Sequence, residues 1–314
     1  KNMTLYKDIL KKSWSITIKN KFLWFFGIFS LILGSAGEYE VLYSITRRED
    51  KANGVIDSFI DFIMVFSSGF LGIGKRLIEE PLLTVEILLT FLFLFILFLF
   101  MVWLANISQI AIVDSNYKIT RQKEANIKTG LNTGLSKFWP VLSLNIFTKL
   151  MIILLLALLA KFTTSILYGF VFLSVLFLLL VIAFITKYAI AYIVIRNEKI
   201  KHALILAYDL FKKNWLVSLE LTLVLLAFTF FFVFVSMLVM VTALYFMAFL
   251  LEFFNSHNDS IALYFSALIP ILLLIIFTYT LSLLSVFQIS AWTNLFIEID
   301  VKGAKSKLER MFTK

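Results

Sequence analysis

The stretch "EKIKHALILAYDLFKKNWLVSL", residues 198–219, decides how this chain is read. It holds four lysines, a histidine and an aspartate, yet lies between two of the most apolar runs in the sequence. Its apolar residues recur at helical period, so the pattern predicts an amphipathic helix placed where one face is dry and the other wet. Such a helix between two membrane spans belongs at the membrane surface.

The flanking runs are spans because the whole composition requires it. Of 314 residues 61% are hydrophobic, 35 are Phe and only 16% are charged, with a mean hydropathy of +0.95. Soluble domains carry about 25% charged residues. From Leu82 to Val113 the chain has no basic residue, a run well beyond the roughly 20 residues that cross about 30 Å of hydrocarbon. The early run Phe22–Gly37 follows about twenty basic amphipathic residues and lacks an A-x-A-like cleavage site, so it is expected to be a retained span and not a signal peptide.

Six runs are long enough to cross: Phe22–Gly37, Leu82–Val113, Phe138–Ala160, Phe170–Ile195, Trp215–Leu251 and Ile261–Ile297. Twenty-one Lys and Arg fall on the side of both termini and six on the other, so the positive-inside rule puts both termini in the cytoplasm. Trp215–Leu251 has no Gly or Pro to turn it back and reads as one long helix of about 55 Å, whose outer end must protrude or bend. The last span carries Pro270, a candidate kink. Between 38 and 80 the apolar set Ile56, Phe59, Ile60, Ile63 and Phe66 predicts an external amphipathic helix covering those outer ends.

The opening helix is one of three. Counting from Tyr6, Ile127 and Ile200, the positions 3, 4, 7, 8 and 11 residues on give Ile9, Leu10, Ser13, Trp14 and Thr17, then Gly130, Leu131, Gly134, Leu135 and Phe138, then Ala203, Leu204, Ala207, Tyr208 and Phe211. Lys7, Lys128 and Lys201 follow the starting residue, and each helix leads to a basic aromatic threshold, "NKFLW", "KFW" or "KKNW". Lysine beside an aromatic suits the headgroup layer. Gly130 with Gly134 and Ala203 with Ala207 form small-xxx-small faces that predict close docking on the bundle. The expected architecture is an all-α integral membrane bundle of six spans, built from three repeats of an interfacial helix plus a helical hairpin. The first repeat covers 1–113 with the external insertion at 38–80, the second 114–196 and the third 197–297; residues 298–314 form a basic cytoplasmic tail that resembles the start of a fourth helix.

The segments "ALILAYDLFKKNW" (203–215) and "KSWSITIKNKFLWFFGIF" (12–29) resemble the repeated signature of bacterial six-span proteins related to the glycerophosphoryl diester phosphodiesterase membrane domain. The resemblance covers nearly all the chain outside 38–80. Where that family shows Ser-Trp this chain has Ala207 and Tyr208, although Ser13 and Trp14 match. The resemblance implies a fold and a location in a bacterial cytoplasmic membrane; it implies no catalytic residues, because the phosphodiesterase domain of that name is absent.

No catalytic constellation is legible. The chain has no cysteine, which excludes disulfides, thiolate metal sites and cysteine nucleophiles and leaves the redox compartment undetermined. Its two histidines, His202 and His257, fall on opposite sides of the expected membrane. "GFLGIGKR" at 69–76 fails the phosphate-loop spacing because Arg76 stands where Ser or Thr is needed. Ionisable and amide residues within the spans point further toward function. Lys149 lies about 15 Å past Trp139, Lys187 about 13 Å before Arg196 and Glu220 about 8 Å past Trp215. With Asn106, Gln109, Asn145 and Gln288 they form an expected polar belt in the cytoplasmic half, either knitting helices together or lining a cavity open to the cytoplasm.

Lys7, Lys11, Lys21, Lys128, Lys137, Lys201, Lys212 and Lys213 are the expected contacts to anionic lipid headgroups. The net charge of +9 is thereby assigned to lipid and not to nucleic acid. The expected function is a non-catalytic membrane organiser or accessory subunit with no cofactor. A transporter of a small anionic or amphiphilic solute through the polar belt is the alternative, and a lipid-modifying enzyme is the weakest. A protein partner or a homo-oligomer stays open.

Overall fold

A computed structural model describes residues 4–31, 81–162, 167–255 and 259–302, which form helices and the short connections between them. The helices are α1 (Thr4–Lys19), α2 (Phe22–Ser30), α3 (Pro81–Thr120), α4 (Ile127–Ser136), α5 (Phe138–Lys161), α6 (Tyr168–Ile195), α7 (Ile200–Asn255) and α8 (Asp259–Lys302). Five of them are long and apolar enough to cross a membrane: α3, α5, α6, α7 and α8. The chain is thus a multi-pass helical membrane protein.

Local chemistry explains where these helices begin and break. α3 ends in a Schellman turn: Gln122 adopts a left-handed φ of 57°, its N–H donates to the Ile119 carbonyl at 3.0 Å, and the Lys123 N–H to Lys118 at 2.9 Å. α4 starts with a capping box, in which Asn126 Oδ1 accepts from the Thr129 N–H at 2.9 Å and Thr129 Oγ1 from the Asn126 N–H at 3.0 Å. α6 stops before Asn197, again left-handed at φ 65°. α7 contains one non-helical residue, Asn214, at φ −131° and ψ 29°; its amide donates to the Leu210 carbonyl at 3.1 Å. The break separates the charged helix 200–213 from the span that begins at Trp215. Beyond it α7 continues as helix to Asn255, about 60 Å in all.

The expected first span is described only as far as Leu31. Its helix, α2, has nine residues and reaches about 14 Å, less than half a hydrocarbon thickness. Leu23, Phe26, Gly27 and Ser30 are buried, and α2 packs against α8 and α3. An added Cβ on Gly27 would stand 2.6 Å from the Ser282 carbonyl oxygen, so only glycine allows this crossing. The external helix expected within 38–80 and the fourth helix expected after 303 lie outside the described residues.

Packing divides the molecule in two. Every described side chain from Val85 to Phe100 is exposed, as is most of α7 beyond Leu223, whereas residues 105–116 except the half-buried Gln109, 188–194 and 284–297 are buried. The exposed half is the most apolar part of the chain and the buried half holds Ser, Thr, Asn and Gln. In water this distribution would be unstable; in a bilayer the exposed apolar surface is solvated by acyl chains and the amides need partners inside. α8 sits at the centre, touching α1, α2, α3, α6 and α7.

The three amphipathic helices bury equivalent positions. Ile9 and Ser13 in α1, Gly130 and Gly134 in α4, and Ala203 and Ala207 in α7 are buried; Trp14, Leu135 and Tyr208, one residue further on, are exposed. The small residues of α4 meet α3 directly. A Cβ on Gly134 would lie 2.6 Å from Ile107 Cγ2 and 3.0 Å from the Ile107 carbonyl oxygen; on Gly130 it would lie 3.2 Å from Ala111 Cβ.

α1 packs on α8 and reaches α7 through two long side chains. Tyr6 hydrogen-bonds Glu220, and the Trp14 ring stands 5.9 Å from that of Phe228. Both intervals are eight residues, so the two contacts run in the same direction along α1 and α7.

Candidate functional site

The expected polar belt resolves into separate clusters with different partners. On α3 the Asn106 side chain is fully buried; its Nδ2 donates to the Val102 carbonyl at 2.8 Å. Across from it on α5, Asn145 Nδ2 donates to Asn106 Oδ1 at 2.8 Å and to Gln109 Oε1 at 3.0 Å. These three amides are the members of the belt that the described hydrogen bonds bring together. One turn further along α5, the Thr148 hydroxyl bonds that of Thr186 on α6 at 2.9 Å, which ties a third helix to the cluster.

The described contacts of the other members are these. Gln288 on α8 donates to Thr229 Oγ1 on α7 at 2.8 Å, while its Oε1 is buried without a hydrogen-bond partner among the described residues. The Lys187 ammonium lies 4.3 Å from the centroid of the Trp292 ring, within the range of a cation–π contact. Glu220 accepts from the Tyr6 hydroxyl. Lys149 is half-buried on α5.

Sequence reasoning missed a second polar set, the α8 segment "SLLSVFQISAWTN" (282–294). Ser282 Oγ donates to the Trp24 carbonyl at 2.6 Å, and Ser285 and Ser30 share a hydrogen bond of 2.7 Å. Asn116 Nδ2 donates to the Ser290 carbonyl at 3.0 Å. Asn294 accepts from Thr120 Oγ1 at 3.1 Å and donates to Ser13 Oγ at 2.8 Å, joining α1, α3 and α8 at one point. The available signal was the density of small hydroxyl residues within one apolar run, which allows helices to approach closely. Ser108 Oγ, Ser115 Oγ, Asn116 Oδ1 and Ser290 Oγ are buried here without a partner among the described residues.

At its C-terminal end α6 is tied to α8 through Asp300, which accepts from Arg196 and, at 3.1 Å, from the Tyr192 hydroxyl. Arg196 lies beyond the span, and the Asp300 hydrogen bond and charge raise its pKa further above its already high ordinary value.

Of the eight expected headgroup lysines, Lys7, Lys11, Lys21, Lys128, Lys201, Lys212 and Lys213 are exposed, and Lys137 is half-buried at the bend between α4 and α5. His202 joins this charged surface through a 2.7 Å contact with Glu198. Among the described residues no group of three or more His, Cys, Asp or Glu could hold a metal ion. No protein-family model, curated protein or solved structure matches the chain.

Proposed function

We propose that this chain is a non-catalytic integral membrane protein that engages anionic lipid through three basic helices and serves as a membrane organiser or accessory subunit. The observation that carries this reading is the division of each amphipathic helix into a docked face of small or apolar residues and an exposed face bearing lysine. A lysine exposed on a rigidly docked helix presents its charge at a fixed height, and each juxtamembrane cation adds about 1 kcal/mol of attraction to an anionic surface.

The same division supports a threefold repeat, because equivalent positions are buried in all three helices. With the first span completed by residues beyond Leu31, that repeat gives six spans and both termini in the cytoplasm, as the Lys and Arg distribution favours. The resemblance to bacterial glycerophosphoryl diester phosphodiesterase membrane domains and a place in a bacterial cytoplasmic membrane belong to the same proposal. Lys11 is exposed opposite Gln122 at the end of α3, and an exposed ammonium is costly in hydrocarbon. Headgroups or water therefore reach this flank of α1.

The unpartnered Gln288 Oε1 and Ser108 Oγ favour a second reading, in which the interior is hydrated and passes a small anionic or amphiphilic solute. One experiment separates the two. Reconstituted protein should enrich phosphatidylglycerol over phosphatidylcholine around itself without producing new lipid species; accumulation of a solute in sealed vesicles, with no lipid preference, would select transport instead.

A further inference from the structure

We propose that a pocket between α1 and the end of α3 binds a phosphate group, carried by an anionic lipid headgroup or by a soluble phosphate ester. The pocket is an open cleft of about 560 Å³; Asp8, Lys11, Lys12 and Ser15 of α1 form one wall, and Gln122 stands on the other. Among the described lining residues two ammonium groups, those of Lys11 and Lys12, stand with one carboxylate, that of Asp8. The Ser15 hydroxyl and Gln122 amide add neutral donors, the combination that satisfies the several acceptor oxygens of a phosphate.

The opposite wall is the C-terminus of α3, whose dipole would oppose an anion. That opposition is reduced because the Schellman turn caps the carbonyls of Lys118 and Ile119, and because the exposed cations Arg121 and Lys123 flank Gln122. The pocket is also held in shape. Thr120, which lines it, donates to Asn294, and Asn294 donates to Ser13, so α1 and α3 are fixed to the same side chain of α8.

Size and polarity narrow the ligand. The volume falls in the range of organic-ligand sites, larger than a bare phosphate needs, and Ile16 and Ile119 give it an apolar patch for the organic part. A zwitterionic headgroup would bring its ammonium among the lysines of α1, so an ester without an amine fits better. The lipid form of this proposal rests on the headgroup reading above; the soluble form does not.

The test uses full-length protein in two arms: titration with inorganic phosphate in neutral detergent, followed by thermal shift, and native mass spectrometry after reconstitution in nanodiscs of phosphatidylglycerol and phosphatidylcholine. Lys11→Gln should weaken binding about fivefold, and Gln122→Ala should weaken it in the same direction. Both positions are exposed, so an unchanged melting temperature without ligand confirms that each variant folds. Saturable phosphate binding lost in these variants supports a soluble ester; loss of one retained phosphatidylglycerol that phosphate does not displace supports a lipid. Wild-type behaviour of both variants in both arms overturns the proposal. If phosphatidylglycerol is lost only when Lys201, Lys212 and Lys213 become Gln, the headgroup reading stands and the pocket falls. If phosphate binds in the pocket but the wild type shows no lipid preference, the pocket stands and the headgroup reading falls.

Discussion

Replacing Gly134 with Ala asks whether α4 is docked as tightly as its geometry requires. The new Cβ would stand 2.6 Å from Ile107 Cγ2 and 3.0 Å from the Ile107 carbonyl oxygen. One neighbour is backbone and the other is a methyl on a β-branched side chain with one strongly preferred helical rotamer, so neither yields easily. Overpacking of this kind costs about 1–3 kcal/mol, while the change from Gly to Ala in a helix returns about 1 kcal/mol. The net expectation is a loss of about 0–2 kcal/mol, toward the upper end for a 2.6 Å clash, and so a fall of several degrees in the melting temperature measured in detergent. Gly130→Ala is the internal comparison. Its nearest neighbours, Ala111 Cβ and the edge of the Phe26 ring, are 3.2 Å away and need give only a few tenths of an ångström, so the loss should be close to zero. Gly169→Ala meets nothing within 4 Å and should not lower stability. If Gly134→Ala melts at or above the wild type, or if Gly130→Ala is the more damaging change, the docking argument is refuted.

Further expectations follow from the polar clusters and the orientation. Asn145→Leu leaves the Asn106 and Gln109 oxygens without their donor and should cost about 1–2 kcal/mol; Asn106→Leu added to it should cost less than the two single losses together, and strict additivity would break the cluster apart. Lys187→Met should destabilise more than the double variant with Glu220→Gln if the two charges compensate each other across α6 and α7, because a lone buried charge is the costly state. A cysteine at Gln122 should resist an impermeant reagent applied from outside and one at Lys161 should react; labelling of both from one side would end the proposed orientation.

The sequence revealed those features that repeat along one helix. The apolar runs gave α3, α5, α6, α7 and α8, and the small-residue spacing gave the faces of α4 and α7 that turn out to be buried, because both signals lie within a few helical turns. Partners distant in sequence were not legible. Lys187 meets Trp292 and Tyr6 meets Glu220 across helices whose adjacency no local pattern encodes. The belt residues were grouped by depth alone, and depth says nothing of azimuth; hence Asn106, Gln109 and Asn145 meet while Gln288 turns toward Thr229. The centrality of α8 was missed for a related reason. Ser282, Ser285, Gln288, Ser290 and Asn294 spread around more than half the circumference of an ideal helix, so no single face stood out. That distribution is what a helix surrounded by neighbours requires.

On the proposed reading docked helices hold exposed lysines against anionic lipid, and Lys7, Lys128 and Lys201 occupy the same place in each of the three helices. All three are exposed, so changing them to Gln together should leave the melting temperature unchanged. The measurement is the ratio of phosphatidylglycerol to phosphatidylcholine retained by wild-type and triple-variant protein from the same nanodisc mixture, at low and at high salt. Enrichment by the wild type should fall several-fold in the variant and fade with added salt, as screened juxtamembrane charges demand. Equal enrichment by both proteins, or enrichment indifferent to salt, would contradict it.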